Sequence, residues 1–401
     1  MLEYELVNFA KKTFACVALI LAAALLPQPV MAESVYQAMA KAYENTPDLN
    51  AARAGLRATD EGVALAKSGY RPTVAAEAVT TSTNTNGFVT NSASLGVSIT
   101  QTLFDGFQTR NNVRAAEAAV FAGRENLRGT EIDILLATVQ AYANVNRDNQ
   151  IVTYRKQNIA FLQEQLSAAR ARFDVGESTR TDVSLAEAEL AGAKASLTAA
   201  VAQAKSSVAV YAQIVGTVPK KLQAVSLPRK LLPGSLDAAV TQGTTEHPAV
   251  LAALFGVDAA GYAVKAEEGT FLPGVKVSGS VAKDDAGIDT AQVQARVTIP
   301  LYQGGAASAS VRQAKEKLGQ QRILVDSARR SIEQSVVSSW TQMEASLATI
   351  EANKAQLSAA NLALNGVVEE RRVGQRTTLD VLNAQQTVLT AKEAISQSER
   401  N

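Results

Sequence analysis

Apolar and polar residues follow two different periods along this chain. Over some stretches the period is two. Leu95, Val97, Ile99 and Leu103 alternate with Ser94, Ser98, Thr100 and Thr102. Val275, Val277 and Val281 alternate with Lys276, Ser278 and Ser280, and Val293, Ala295, Val297, Ile299 and Leu301 with Gln292, Gln294, Arg296 and Thr298. Successive side chains of a strand point to opposite faces, so this spacing predicts strands with one apolar and one polar face. A weaker strand is predicted from about Thr73 to Thr80. Asn84-Thr85-Asn86-Gly87 and Asp284-Asp285-Ala286-Gly287 supply turn residues, which makes two strand hairpins over about 73–104 and 274–301. Each strand is roughly 10 residues, about the length a tilted membrane strand needs.

Elsewhere the period is helical. Ile159, Leu162, Leu166, Ala169 and Phe173 step by three and four, and Trp340, Met343, Leu347, Ile350, Lys354 and Leu357 do the same, with Lys354 breaking the seam. This is coiled-coil spacing. No proline occurs from Thr73 through Val218 or from Leu301 onward, and proline is what would interrupt a long helix. Long helices are therefore predicted over about 109–214 and 306–401. Gly176 and Gly374 fold each into a hairpin, with Ser178, Thr179, Thr377 and Thr378 available to cap the returning arm.

These elements come in two copies. Gly176 and Gly374 are separated by 198 positions, as are Asp182 and Asp380, and the same offset carries Leu103-Phe104-Asp105-Gly106 onto Leu301-Tyr302-Gln303-Gly304. Pro47 and Pro248, and Pro72 and Pro273, pair at an offset of 201, so the first strand hairpin should be three residues longer than the second. The layout expected is a leader (1–32), a first repeat (33–215), a connecting segment (216–246) broken by Pro219, Pro228 and Pro233, and a second repeat (247–401). Mapped onto the first copy, the final helix stops about 11 residues short, because Asn401 corresponds to Gln203. A truncated form with impaired assembly is the expectation there.

Composition narrows the class. Lys plus Arg number 39 against 38 for Asp plus Glu, so no net field draws in nucleic acid. Hydrophobic residues make up 47% but aromatics only 5%, with alanine prominent, the balance of long packed helices. Lys11 and Lys12, the apolar run Phe14–Leu26 and Val30-Met31-Ala32 form a secretory leader cleaved after Ala32. The only cysteine, Cys16, lies within it, leaving no disulfide in the mature chain, and no lipidation is predicted there. No later stretch holds 18 uninterrupted apolar residues, so no membrane-spanning helix is expected and a membrane would be crossed as a β-barrel. Four strands cannot close such a barrel, so several copies of the chain must pool theirs.

The order of these elements resembles the TolC family of outer-membrane efflux and type I secretion proteins. So do Phe173-Asp174-Val175-Gly176, Thr181-Asp182-Val183, Leu301-Tyr302-Gln303-Gly304-Gly305 and the run Val373–Leu382. The resemblance covers nearly the whole mature chain. It implies a mainly α fold with β: a homotrimer with a 12-stranded barrel in outer-membrane lipid and an α-helical tunnel across the periplasm, docked by a periplasmic adaptor and an inner-membrane pump. It implies a passive conduit, without cofactor or catalysis. By position, Arg376 resembles the family's latch arginine, Thr181 and Asp182 its partners, and Asp380 a member of the acidic constriction ring. This chain departs from the family in Arg371, where a latch tyrosine is usual, and Asn383, where a second acidic residue is common.

Competing readings exist for several features. The strands could form a water-soluble sheet, and the alanine-rich helices a secreted filament. A periplasmic adaptor would carry one helical hairpin rather than two, and a secreted enzyme would need a nucleophile, base and orienting group that do not stand out together. His247, the only histidine, excludes multi-His metal sites and is expected to start a helix. Asp284 and Asp285 are read as turn residues, Trp340 and Met343 as core, and Gly304-Gly305 as a tight exit from a strand.

Overall fold

The computed structural model describes residues 32–224 and 232–401; the leader lies outside the described residues apart from Ala32. The chain divides into two units, one built from the segment up to Ala42 and Thr138–Leu227, the other from Tyr43–Ala137 and Pro228–Asn401. Among the described residues the order is α1 (Val35–Asn45), α2 (Pro47–Lys67), β1 (Thr73–Thr85), β2 (Phe88–Phe104), α3 (Gln108–Asp174) and α4 (Arg180–Val215). It repeats as α5 (Leu236–Glu246), α6 (Pro248–Glu268), β3 (Gly274–Asp284), β4 (Asp289–Thr298), α7 (Ala306–Arg372) and α8 (Thr378–Arg400).

Two boundaries differ from the sequence expectation. The connecting segment contains α5, N-capped by Ser235, and α5 and α6 lie 201 positions after α1 and α2 at both ends. The second copy therefore begins before residue 247. Glycine and β-branched residues give Leu-Asp-Ala-Ala-Val-Thr-Gln-Gly-Thr-Thr-Glu a weak intrinsic helix preference; tertiary packing compensates. At Gly243 a Cβ would come within 3.0 Å of Val336 Cγ2 and 3.3 Å of Ile332 Cγ2, so the glycine admits a close approach of α5 to α7. The second difference is β4, which ends at Thr298 rather than Leu301. Pro300 has no N–H to give a ladder, and its ring disfavours continuation.

Leu236–Phe271 is long and apolar enough, by composition, to cross a membrane. It is not one uninterrupted helix: His247 is extended (φ −66°, ψ 133°) and Pro248 opens α6. His247 Nδ1 accepts the amide of Ala249 at 3.2 Å, which is the helix-start role expected for this residue.

In the first unit, α3 and α4 pack through Ala141, Tyr142, Val145, Tyr211 and Val215, with Ala38 of α1 completing the cluster. Farther along the pair Leu162, Leu166 and Ala169 are buried as the heptad spacing requires, whereas Phe173, next to the turn, is 44% exposed. Two polar devices fix the packing. Asp148, 3% exposed, takes Arg147 Nη2 at 2.7 Å and Ser207 Oγ of α4. A buried charge with satisfied partners favours one helix register, since a slip would leave it unpaired. Glu33 is held on both backbone sides: its N–H donates to the Lys221 carbonyl at 2.7 Å and its carbonyl accepts Gln223 N–H at 3.0 Å. The Tyr142 hydroxyl shares its hydrogen between the carbonyls of Glu33 (2.6 Å) and Gln223 (2.9 Å). Burial, with the nearby Glu33 carboxylate, pushes Tyr142 and Tyr211 above the usual phenol pKa, which keeps both protonated.

In the second unit the strands form one antiparallel sheet in the order β1-β2-β3-β4. The β1–β2 turn is Asn86-Gly87, both with positive φ (54° and 89°), the backbone that matches strand twist and that Asn and Gly tolerate. Asn84 Oδ1 accepts Gly87 N–H at 3.0 Å. The β3–β4 turn uses Asp284 likewise, its Oδ1 accepting Ile288 N–H at 2.7 Å. Where strands hand over to helices, Gly106 and Gly269 face each other: a Cβ on Gly106 would sit 2.2 Å from the Gly269 carbonyl oxygen.

The Tyr142 anchor can be measured directly. Tyr142→Phe removes a buried donor shared by two carbonyls and should cost roughly 1–2 kcal/mol in denaturant unfolding. Amide exchange at Gln223 should quicken with it; unchanged exchange there would show that the hydroxyl does not hold the backbone pairing of Glu33 with Lys221 and Gln223.

Candidate functional site

Two regions carry chemistry that can be related to function: the faces of the sheet, and the turns of the two long hairpins.

The strand register sorts the sheet by face. Ala76, Val97, Val281 and Ala291 lie in one cross-strand row, and Val74, Ile99, Gly279 and Val293 in the next. Every residue of both rows is apolar or glycine. The opposite face carries Ala75, Ser98, Ser280 and Gln292 in one row and Glu77, Gly96, Ala282 and Thr290 in another, with Lys276 and Arg296 paired nearby. The apolar face is open: Leu95 is 64% exposed and Val293 84%. Contiguous exposed apolar area of this kind marks an interaction surface. Strands β1 and β4 are the edges, each hydrogen-bonded on one side only among the described residues.

Both long hairpins turn in the same way. Gly176 and Gly374 adopt left-handed φ of 80° and 83°, a conformation glycine enters without a Cβ clash. The amide after each glycine closes the helix end, Glu177 N–H to the Arg172 carbonyl at 2.8 Å and Gln375 N–H to the Glu370 carbonyl at 2.9 Å. The returning helices start with capping boxes. Asp182 Oδ2 accepts Thr179 N–H at 3.0 Å and Thr179 Oγ1–H at 2.7 Å, while Asp182 N–H donates to Thr179 Oγ1 at 3.2 Å. Asp380 and Thr377 repeat this at 2.9, 2.8 and 3.2 Å. Of the four residues available for capping, Thr179 and Thr377 do it; Ser178 Oγ instead donates to the Ala169 carbonyl at 3.3 Å.

The residues picked from the sequence fall at these turns. Thr181 is exposed in the first turn of α4 beside Asp182, in the first unit. Arg376 and Asp380 belong to the second. Arg376 Nε donates to Glu370 Oε2 at 2.8 Å with both side chains about half exposed. That bond and the Glu370 charge, then the charge of Asp380, raise the guanidinium pKa above its ordinary value. The two bonds from Thr377 hold the Asp380 carboxyl below the usual carboxylate pKa, with the Arg376 charge contributing less. Arg371 is buried in the last turn of α7, and Asn383 is exposed on α8. Glu370 was not singled out from the sequence. The signal available was an acidic residue six positions before Arg376 across a glycine turn, a spacing that becomes a contact only once the turn is known.

The family model described as "Outer membrane efflux protein" matches residues 38–217 and 241–401. The outer membrane efflux protein BepC of Brucella suis biovar 1 (strain 1330) is 44% identical to this chain, covering 100% of it and 89% of BepC. The outer membrane protein TolC of Escherichia coli (strain K12) is 26% identical, over 92% of this chain and 80% of TolC. Among solved structures, CusC, whose crystal structures concern folding and transmembrane channel formation, superposes with a TM-score of 0.81 at 15% identity, covering 92% of this chain and 89% of that one.

The capping box leaves a titration signature. Because the folded pKa of Asp380 is lowered, its contribution to the start of α8 is complete above the unfolded value of about 3.9 and fades as pH falls through the folded one. In Thr377→Ala the hydroxyl bond goes while the backbone N–H bond stays, so the Asp380 carboxyl pKa, followed by carbon-13 NMR, should rise part of the way towards its ordinary value. A value unmoved by the substitution would mean that the hydroxyl has no share in lowering it.

Proposed function

This chain belongs to the outer membrane efflux protein family, and from that premise we propose how one copy contributes to the finished duct. It is an outer-membrane channel protein of the efflux and type I secretion class, with the mainly α fold and strand sheet of that family. The filament alternative gains no support from the family match or from the sheet.

One observation carries the assembly reading: four strands in register present an apolar face that nothing among the described residues covers, and the sheet has two edges. In lipid an open edge leaves unpaired backbone groups that cost several kcal/mol each. Three copies placing β4 beside the next copy's β1 remove all edges and form a 12-stranded barrel. The valine and leucine face then meets hydrocarbon, and the face bearing Glu77, Lys276 and Arg296 lines a water-filled bore. The long hairpins continue the duct into the periplasm, where a periplasmic adaptor and an inner-membrane pump engage it. The conduit itself is passive; energy enters through the pump.

At the periplasmic end the hairpin turns form the gate. Arg376 latches onto Thr181 and Asp182 of another hairpin, and Asp380 contributes to an acidic ring at the constriction. A guanidinium–carboxylate contact is charge-assisted, yet in an exposed setting it is weak enough to be exchanged. Opening is a rearrangement of helix pairs that breaks this contact.

Neighbouring substitutions on β4 separate lipid from water. Val293→Lys should cost about 2–4 kcal/mol if that side chain lies near the bilayer midplane, reducing the heat-sensitive oligomer in outer-membrane fractions, whereas Gln294→Lys should assemble normally. Equal tolerance of both would defeat the barrel. For the latch, Arg376→Ala should raise single-channel conductance in planar bilayers; conductance equal to the parent protein removes Arg376 from that role.

A further inference from the structure

The two hairpin turns are duplicates in backbone but not in charge. Both have a left-handed glycine, the same helix-closing amide bond and the same Thr–Asp capping box. The offset of 198 that superimposes Gly176 on Gly374 places Arg172 at the position of Glu370 and Ser178 at the position of Arg376. The first turn therefore cannot make the ion pair found in the second, where Arg376 Nε meets Glu370 Oε2 at 2.8 Å. Glu369, the adjacent carboxylate, is engaged by Arg372 Nη1 at 2.9 Å, which leaves Glu370 as the carboxylate in contact with Arg376.

We infer that Glu370 is an internal competitor for the latch: it holds Arg376 on its own hairpin when the gate is released, and gating exchanges one guanidinium between Glu370 and the acceptors of another hairpin. The inference rests on the reading of Arg376 as the latch. Its physical basis is charge. A guanidinium already in contact with one carboxylate, and within the field of a second at Asp380, gains less from binding a third. Removing the charge of Glu370 raises the attraction of Arg376 for Asp182. Because the pair is about half exposed, its own strength is small and screened by salt. Neither partner then captures the arginine permanently, and a single charge tips the balance. The turn itself does not depend on this pair, since the amide of Gln375 and the capping box of Thr377 close it independently.

Glu370→Gln tests this in planar bilayers, since it keeps size and hydrogen-bonding capacity but removes charge. Alongside it run Arg376→Ala and the double variant, each first checked for a normal heat-sensitive oligomer. The expected result is conductance in Glu370→Gln below that of the parent by a factor of about 1.4 to 5, the range an exposed ion pair spans. Conductance should rise in Arg376→Ala, and the double variant should equal Arg376→Ala. Unchanged or raised conductance in Glu370→Gln overturns the competitor role while leaving the latch standing. A Glu370→Gln effect that persists in the Arg376→Ala background also overturns it, because the carboxylate would then act through another group. If Arg376→Ala itself changes nothing, the latch reading fails and the competitor fails with it.

Discussion

The antiparallel pairing of β2 with β3 is the interaction on which the sheet depends. Between Ser94↔Asp284 and Phe104↔Val275 it joins the two copies of the repeat, and it aligns the pleat of the first hairpin with that of the second. Because the side-chain period of a strand is two, a slip of one residue would exchange faces between the copies. Val97 would then share a row with Ser280 or Ala282 in place of Val281, and the apolar surface would break in the middle. The bulge between Thr102 and Phe104 shifts the register near the end of this seam, and Gly106 and Gly269 allow the adjoining backbones to approach closely. A surface fit for lipid follows from the register, not from the number of apolar residues.

The helical pair of α3 and α4 solves a different problem. Alanine-rich seams slide easily, because small side chains interlock weakly. The buried Asp148 with Arg147 and Ser207 gives this pair one favoured register. The backbone clamp on Glu33, closed by Tyr142, ties the start of α1 to the segment after α4. Farther out the burial declines, from Leu162 at 4% exposed to Phe173 at 44%. The hairpin ends, which carry the proposed gate, are held by caps and turns more than by a core.

Duplication with divergence connects these parts. The repeat preserved backbone devices whose loss would unfold an element: the left-handed glycines and the capping boxes. It altered side chains that are only partly buried, and Glu370 with Arg376 in place of Arg172 with Ser178 is such a change. Asp182 and Asp380, singled out for a latch and a ring, are also helix caps. A role in capping is compatible with a second role, since each cap uses one carboxylate oxygen.

Local chemistry was legible in the sequence because short-range physics decides it. Period-two alternation located Leu95–Leu103 and Val293–Val297, helix termination located Gly176 and Gly374, and the Ser and Thr residues after each glycine bracketed the caps, which the structure narrows to Thr179 and Thr377. The helix α5 was missed because Gly243 and its threonines weaken intrinsic preference, while the Ser235 cap and packing against α7, close at Ile332 and Val336, favour it. The end of β4 was overrun because alternation continues to Leu301 while Pro300 removes a ladder donor. What tertiary structure alone decided is which rows of β1 to β4 coincide and which carboxylate Arg376 meets. Both depend on pairing between distant residues, whose free energy is shared among many contacts and is written in no single stretch of chain.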